Sequence, residues 1–259
     1  MEQEMERFER AFEAAMGSEV LPMDDVMRHA SSVHGKRLRP RLVFLSAQLF
    51  GTVNEATRRT ALFVEMLHTA TLIHDDVVDA SDERRGQASV NAQWNNKVAV
   101  LAGDFLLSKA MLLLSNPSDH LILKEMLTTA MAMGEGELLQ SEESKVKSEE
   151  LYLEIIARKT ARLFKACCVG GALSVLDEKA EDRRQKIELI GAFGFHLGLV
   201  FQMRDDIMDD DDPEQTALAK QLLPEYRGKA LKALEALAPF ATDSQTFSLI
   251  KEFFYLCTS

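Results

Sequence analysis

The feature that most constrains this chain is an almost unbroken helical period. Apolar residues recur at three- and four-residue intervals in nearly every segment, and no stretch reads as a β-hairpin or a strand–helix–strand unit. The period is interrupted at "GSEVLP" (17–22), "HGKRLRP" (34–40), "FGTVNE" (50–55), "ERRGQAS" (83–89), "SNPSD" (115–119) and "DDDDPEQ" (209–215), each rich in Gly, Pro or small capping residues. Thr52 and Glu55 have the spacing of a capping box for the helix that follows. About ten helices result, too many for a four-helix bundle, and no repeat marks a solenoid. The expectation is an all-α fold: one large helical bundle around a central cavity, with residues 1–259 forming a single domain.

At 259 residues and 46% apolar content the chain can bury a large core. A formal charge of −11 leaves no basic face to displace counterions from a phosphate backbone, so nucleic acid is excluded as a partner. Three cysteines, Cys167 beside Cys168 and Cys257 far away, match neither a disulfide framework nor a zinc site, and a reducing cytosol is the simplest compartment. The N-terminal "MEQEMERFER" is too charged for a signal peptide. The longest uncharged run, 189–203, contains His196 and Gln202 and is shorter than the roughly 20 residues of a membrane span, so no membrane anchor is expected.

Chemistry concentrates in two aspartate clusters of identical form, "DDVVD" at 75–79 and "DDIMD" at 205–209. Residues i and i+4 are neighbours on a helix, so the first and last carboxylates of each cluster can clamp a hard cation while the middle one supports. Mg²⁺ suits this, because it takes one or two carboxylates and completes its shell with water and phosphate oxygens. A single acidic run is usually a solvated helix end. Two runs with the same spacing, each flanked by apolar helix, are different: like charges this close repel by roughly a few kcal/mol at an effective dielectric near 20, and a bound cation removes that cost. The metal candidates are therefore Asp75, Asp76, Asp79, Asp205, Asp206 and Asp209, with Asp210, Asp211 and Asp212 as a solvated tail.

The helical wheel puts Phe63, Leu67, Ala70, His74 and Val77 on an apolar stripe, and Glu65, His68, Leu72 and the three aspartates opposite. The same count gathers Gly194, Phe195, Gly198, Gln202, Asp205 and Asp209, which predicts a cavity wall that is roomy at depth and acidic at its mouth. Basic groups suited to phosphate occur near both clusters: Lys36 and Arg39 after Gly35, Arg84 and Arg85 after the first cluster, and Lys159 with Thr160. Taken singly each is more often a surface charge. Beside paired cation sites they describe a pocket that holds polyphosphate and stabilises its departure.

"GKRLRP", "LIHDDVVDASDERRG", "VLAGDFLLSKA", "RKTARLF" and "GLVFQMRDDIMD" resemble, in order and spacing over residues 30–210, the trans-prenyltransferases that make polyprenyl diphosphates. The resemblance implies an isoprenoid-synthase type bundle, usually a homodimer, that condenses an allylic diphosphate with isopentenyl diphosphate using three Mg²⁺. It implies Asp75 and Asp79 as ligands of two ions and Asp205 of the third, with Asp76, Asp206 and Asp209 in support. Arg84, Lys159, Thr160 and Gln202 would hold the allylic diphosphate, and Gly35, Lys36, Arg39, His68 and Arg85 isopentenyl diphosphate. The departing diphosphate would take the final proton, so His74 is expected to be a satisfied core histidine and His68 a donor to phosphate.

In this family bulky aromatics just before the first aspartate motif stop the growing tail; here those positions are Ala70 and Thr71. With Gly194 and Gly198 on the deep wall, the expected product is longer than fifteen carbons, and "TATLIHDDVVD" is most similar to octaprenyl-type enzymes. Met66, Leu67, Met131 and Met133 are candidates for the pocket floor or for ordinary core. A shorter-chain farnesyl or geranylgeranyl synthase, a partner subunit of a two-component synthase and a terpene cyclase are the alternatives. The intact "DDIMD" argues against the last two, and no twelve-residue loop supports a Ca²⁺ module. The resemblance also implies a "GKxTLP"-like lid after the second cluster. This chain runs from "DDDDPEQ" into "TALAKQLLPEYRGKALKAL" without one, Lys220 and Lys229 are no substitute, and a mobile lid beyond what the chain shows here is expected.

Overall fold

The computed structural model describes residues 1–32, 35–142 and 148–258, except the Glu142 side chain; His34, at the start of the break expected at 34–40, lies outside them. The described residues form twelve α-helices: α1 (Glu2–Met16), α2 (Leu21–Ser32), α3 (Leu38–Phe50), α4 (Glu55–Val78), α5 (Val90–Gln93), α6 (Asn96–Leu113), α7 (His120–Glu142), α8 (Glu149–Ile156), α9 (Arg162–Leu173), α10 (Arg183–Asp209), α11 (Pro213–Glu235) and α12 (Ser244–Thr258). A five-residue π turn, Ala157–Ala161, joins α8 to α9. The all-α expectation holds, with one exception. Strands β1 (Glu83–Arg84) and β2 (Gln87–Ala88) make a short antiparallel hairpin, too brief for any period-two signal.

The helix ends follow the sequence closely but not everywhere. Helix α4 is capped by Asn54, whose side chain accepts from the Thr57 amide while the Thr57 hydroxyl accepts from the Asn54 amide. The box expected at Thr52 and Glu55 forms two residues later because Asn is the better cap, worth about 1 kcal/mol. Helix α3 begins at Leu38, inside the expected break, after Arg37 in the left-handed region at φ 50°. Further breaks at 174–182 and 236–243 carry too little Gly and Pro to have been marked.

Helix α4 packs on α3 and α6, and α9 packs on α3, α7 and α10, so α3, α4, α9 and α10 surround one core in which Phe44, Phe63, Phe164 and Phe193 are fully buried. Each such side chain contributes about 1.5–3 kcal/mol of burial. A second cluster of Tyr152, Ile156, Leu199, Met203 and Leu222 ties α8 and α11 to α10.

One expectation changes here. Gly194 and Gly198 do not line a cavity: a Cβ at Gly198 would lie 2.6 Å from the Ala161 Cα, and one at Gly194 would lie 2.7 Å from the Cys168 sulfur. They are where α10 and α9 approach most closely. After the second cluster the chain turns directly into α11. Helix α10 ends at Asp209, Asp210 adopts φ 52°, and Asp212 caps α11 by accepting from the Glu214 and Gln215 amides. Three residues make the whole connection.

Candidate active site

The first aspartate cluster closes α4. Asp76 is buried and accepts from the Arg84 guanidinium, with Nε to Oδ1 at 2.8 Å and a second contact from Nη2. Asp75 and Asp79 take part in no ion pair among the described residues. Burial, and then the Glu137 carboxylate, push the Asp75 pKa up to about 6. The second cluster repeats this division. Asp206 accepts from Tyr152 at 2.6 Å and from Gln202 Nε2 at 2.9 Å, while Asp205 is pushed up to about 6 by burial and then by Asp209.

In each cluster, then, the middle aspartate is satisfied by the protein and the outer two make no ion pair among the described residues. That donor set suits a hard cation. Among the described residues no three His, Cys, Asp or Glu side chains close into a cage.

Lys159 and Thr160 sit in the π turn, a rare geometry that is found mostly at functional sites. Thr160 donates to Gln202 Oε1 at 2.6 Å, extending the chain Thr160–Gln202–Asp206–Tyr152. The Lys159 ammonium contacts Glu137 at 2.5 Å and Gln140 Oε1 at 2.7 Å. Lys159 lines one pocket with Asp75 and a second with Gln202 and Asp206, so it stands between the clusters.

The remaining basic residues gather around His68. Burial first, and then Arg39, Arg85, Arg84 and Arg37, keep its pKa well below the usual histidine value. The Arg39 Nε is buried with no hydrogen-bond partner, and its guanidinium lies 5.5 Å from the Phe164 ring centre. Lys36 and Arg39 both lie within electrostatic reach of Asp205. The Arg85 guanidinium rests on the Gly35 Cα, 2.7 Å from where a Cβ would stand. A neutral imidazole among arginines and an orphaned buried guanidinium N–H describe a seat for an anion.

Helix α4 also forms one side of an apolar cavity of about 390 Å³ against α6 and α7, lined by Leu67, Ala70, Thr71, His74, Val78, Leu107, Ala130, Met133 and Leu138, with Asp75 and Lys159 at one end. Leu67, Ala70 and His74 of the apolar stripe thus border this cavity, Leu67 and Ala70 also belonging to the core. Ala70 and Thr71 line it as expected. Of the four floor candidates Leu67 and Met133 reach it, Met66 is core, and Met131 is 69% exposed. His74 is satisfied by the Val100 carbonyl at 3.2 Å, but it is not the core residue expected: its side chain is 35% exposed and borders the cavity. Sequence reasoning missed Tyr152, Gln140, Glu137 and Arg37, the last of which is buried and pairs with Glu65 at 2.7 Å. Only contact across the fold reveals them, because no spacing links these residues to the clusters.

Comparison with known proteins gives the family. The polyprenyl synthetase family profile matches residues 22–222. An all-trans-nonaprenyl-diphosphate synthase (geranyl-diphosphate specific) of Rhodobacter capsulatus is 41% identical over 75% of this chain and 59% of that protein. The octaprenyl diphosphate synthase of Escherichia coli (strain K12) is 35% identical over 82% of this chain and 65% of its own length. The chain therefore spans about three fifths of the length of the curated relatives it matches. In three dimensions it superposes with a TM-score of 0.85 and 28% identity on a polyprenyl synthase from Caulobacter crescentus CB15 complexed with calcium and isoprenyl diphosphate, covering 100% of this chain and 95% of that one. The profile match covers most of the sequence, and the chain belongs to the polyprenyl synthetase family.

Proposed function

We propose that this chain is a polyprenyl diphosphate synthase that condenses an allylic diphosphate with isopentenyl diphosphate head to tail and releases a medium- or long-chain all-trans product. The observation that carries this reading is the 390 Å³ apolar cavity with Asp75 and Lys159 at its end: it offers a greasy tail a place beside groups that bind diphosphate. The small side chains at Ala70 and Thr71 leave that cavity open, which favours extension beyond fifteen carbons.

Asp75 and Asp79 would hold two Mg²⁺ ions and Asp205 a third, with Asp76, Asp206 and Asp209 supporting; the calcium in the Caulobacter relative agrees with a divalent cation. Bound Mg²⁺ would supply charge neutralisation to the leaving diphosphate. The chain's own residues do the rest. Lys159 and Arg84 face the allylic diphosphate as fixed positive charge, and Thr160 and Gln202 fix the π turn that carries Lys159. Gly35, Lys36, Arg39, His68 and Arg85 seat isopentenyl diphosphate, His68 as a neutral donor. The apolar walls keep water from the carbocation until the double bond of isopentenyl diphosphate attacks it and the departing diphosphate accepts the proton.

The exposed apolar residues Val100, Leu101, Met111 and Leu112 of α6, with Met131 and Leu138 of α7, support a homodimer through that face. Cys167, Cys168 and Cys257 are free and buried, which supports a reducing cytoplasm, and no single described helix is long and apolar enough to cross a membrane. The test is to incubate the chain with farnesyl diphosphate, isopentenyl diphosphate and Mg²⁺ and to size the dephosphorylated products by mass spectrometry. A ladder near eight isoprene units is expected, by analogy with the octaprenyl diphosphate synthase relative. Termination at farnesyl diphosphate, or no elongation, refutes the reading.

A further inference from the structure

The hairpin that carries Arg84 and Arg85 is held at its base and on its outer strand by different elements. At the base, Ser89 N donates to the Asp82 carbonyl at 3.0 Å, the Ser89 hydroxyl donates to Ser81 O at 2.7 Å, and Asn91 donates to the Asp76 and Ser81 carbonyls. At the tip, the register Glu83 to Ala88 and Arg84 to Gln87 leaves Arg85 and Gly86 as a two-residue loop with φ 52° and 82°. Both positive values belong to a type I′ turn, and Arg85 pays about 1 kcal/mol to sit in the left-handed region. Strain of this kind persists only where the surroundings hold it.

The surroundings are the C-terminal turn of α2. His29 Nε2 donates to the Ala88 carbonyl at 2.7 Å, and the Ser32 hydroxyl donates to Gln87 Oε1 at 2.9 Å. A carbonyl only accepts, so His29 carries its proton on Nε2. Its ring meets Trp94 edge-on at 5.2 Å, which fixes the imidazole from the other side. Helix α2, helix α4 and the hairpin wall one small cavity that includes His29, His68, Arg84 and Arg85. Gly35 follows α2 in the chain, and Arg85 rests on it.

From this arrangement we infer that α2 clasps the arginine hairpin, and that His29 is the positioning residue that aims Arg85 at the anion seat. The inference rests on reading Arg85 as a ligand of isopentenyl diphosphate. His29 touches no substrate itself. It acts by fixing the outer strand, and with it the direction of the Arg85 side chain against Gly35. Among the described residues, the side-chain hydrogen bonds from α2 to β2 are those of His29 to Ala88 and Ser32 to Gln87.

The test compares His29→Ala with His29→Gln, whose amide can still donate to Ala88 O. Hydrogen exchange of peptides covering 83–90, read without substrate, should quicken in the alanine variant and return towards wild type in the glutamine variant. In steady state the alanine variant should raise KM for isopentenyl diphosphate about tenfold while KM for the allylic diphosphate and kcat change less than about twofold. Unchanged hairpin exchange overturns the clasp. So does an equal rise in both KM values without rescue by glutamine, which is what loss of general packing would give. If the wild-type chain shows no turnover, the functional reading fails, and the exchange experiment still decides whether the clasp exists.

Discussion

Arg84 Nε donates to Asp76 Oδ1 at 2.8 Å, while the neighbouring carboxylate, Asp75, has no cationic partner and titrates near 6. Adjacent residues of one motif thus do opposite things for the fold: Asp76 stabilises it and Asp75 strains it. The first prediction separates them. Asp76→Asn keeps an acceptor oxygen but leaves the Arg84 guanidinium without its counter-charge. It should lower stability, by less than the 3–5 kcal/mol of a fully buried pair because Arg84 is 36% exposed. Asp75→Asn removes a buried charge beside Glu137 and should stabilise the cation-free protein by about 1–2 kcal/mol after allowance for the solvent that reaches it. It should also abolish turnover. Thermal unfolding of both variants without divalent ions checks the opposite signs.

The same carboxylates set a pH dependence. Asp75 and Asp205 titrate near 6 in the fold and near 3.8 when unfolded, so between these values the folded state holds more protons. Their contribution is full below pH 3.8 and is lost as pH rises through about 6. His68 acts the other way: its depressed pKa withdraws stability as pH falls below 6.5. Mg²⁺ competes with the carboxyl protons, so the rise in Tm on adding Mg²⁺ should grow from pH 5 to about 7 and then level off. Chelation should return the curve to its cation-free form. A Mg²⁺ effect that shrinks as pH rises contradicts the assignment of Asp75 and Asp205.

Tyr152 and Asp206 give a third. The hydroxyl donates to Oδ2 at 2.6 Å from a fully buried ring, leaving Oδ1 to Gln202. Tyr152→Phe keeps the ring and deletes one charge-assisted hydrogen bond, a loss of about 1.5–3 kcal/mol. The freed Asp206 oxygen can then swing towards the second cluster. The expected result is a folded protein whose rate needs a different Mg²⁺ concentration for half-saturation, read from kcat against Mg²⁺ at fixed substrate. An unchanged Mg²⁺ curve would make Tyr152 a packing residue only.

What the sequence made legible follows from what is local. The twin clusters are patterns within one or two turns of helix, legible from spacing alone, while the roles of the Lys159–Thr160 pair and of the small residues at Ala70 and Thr71 came from the family resemblance. What it could not reveal depends on neighbours distant in the chain. The wheel of α10 grouped Gly194 and Gly198 with the acidic end, yet glycine serves equally for a cavity wall and for close helix contact. Only the position of Ala161 and Cys168 decides. The hairpin stayed hidden because strands of two residues have no period, and its turn is Arg-Gly in place of Asn-Gly. The π turn has no sequence signature at all, although it sets where Lys159 points.

That distinction gives the last prediction. If tail length is set in the cavity between α4, α6 and α7, bulk at Ala70 or Thr71 must shorten the product and bulk at Gly198 must not. Ala70→Phe places a ring in a 390 Å³ space just below Asp75, and the product ladder should end several isoprene units earlier with the anion seat undisturbed. Gly198→Ala instead drives a methyl to 2.6 Å from the Ala161 backbone, forcing α10 off the π turn at a cost of about 1–3 kcal/mol. Its expected signature is a lower Tm and a weaker rate with an unchanged product ladder, because Thr160 and Gln202 lose register while the cavity keeps its depth. Mass spectrometry of the dephosphorylated products from both variants reads the two effects side by side. A shortened ladder from Gly198→Ala would return the tail to the α10 wall and displace the cavity beside α4 from its role.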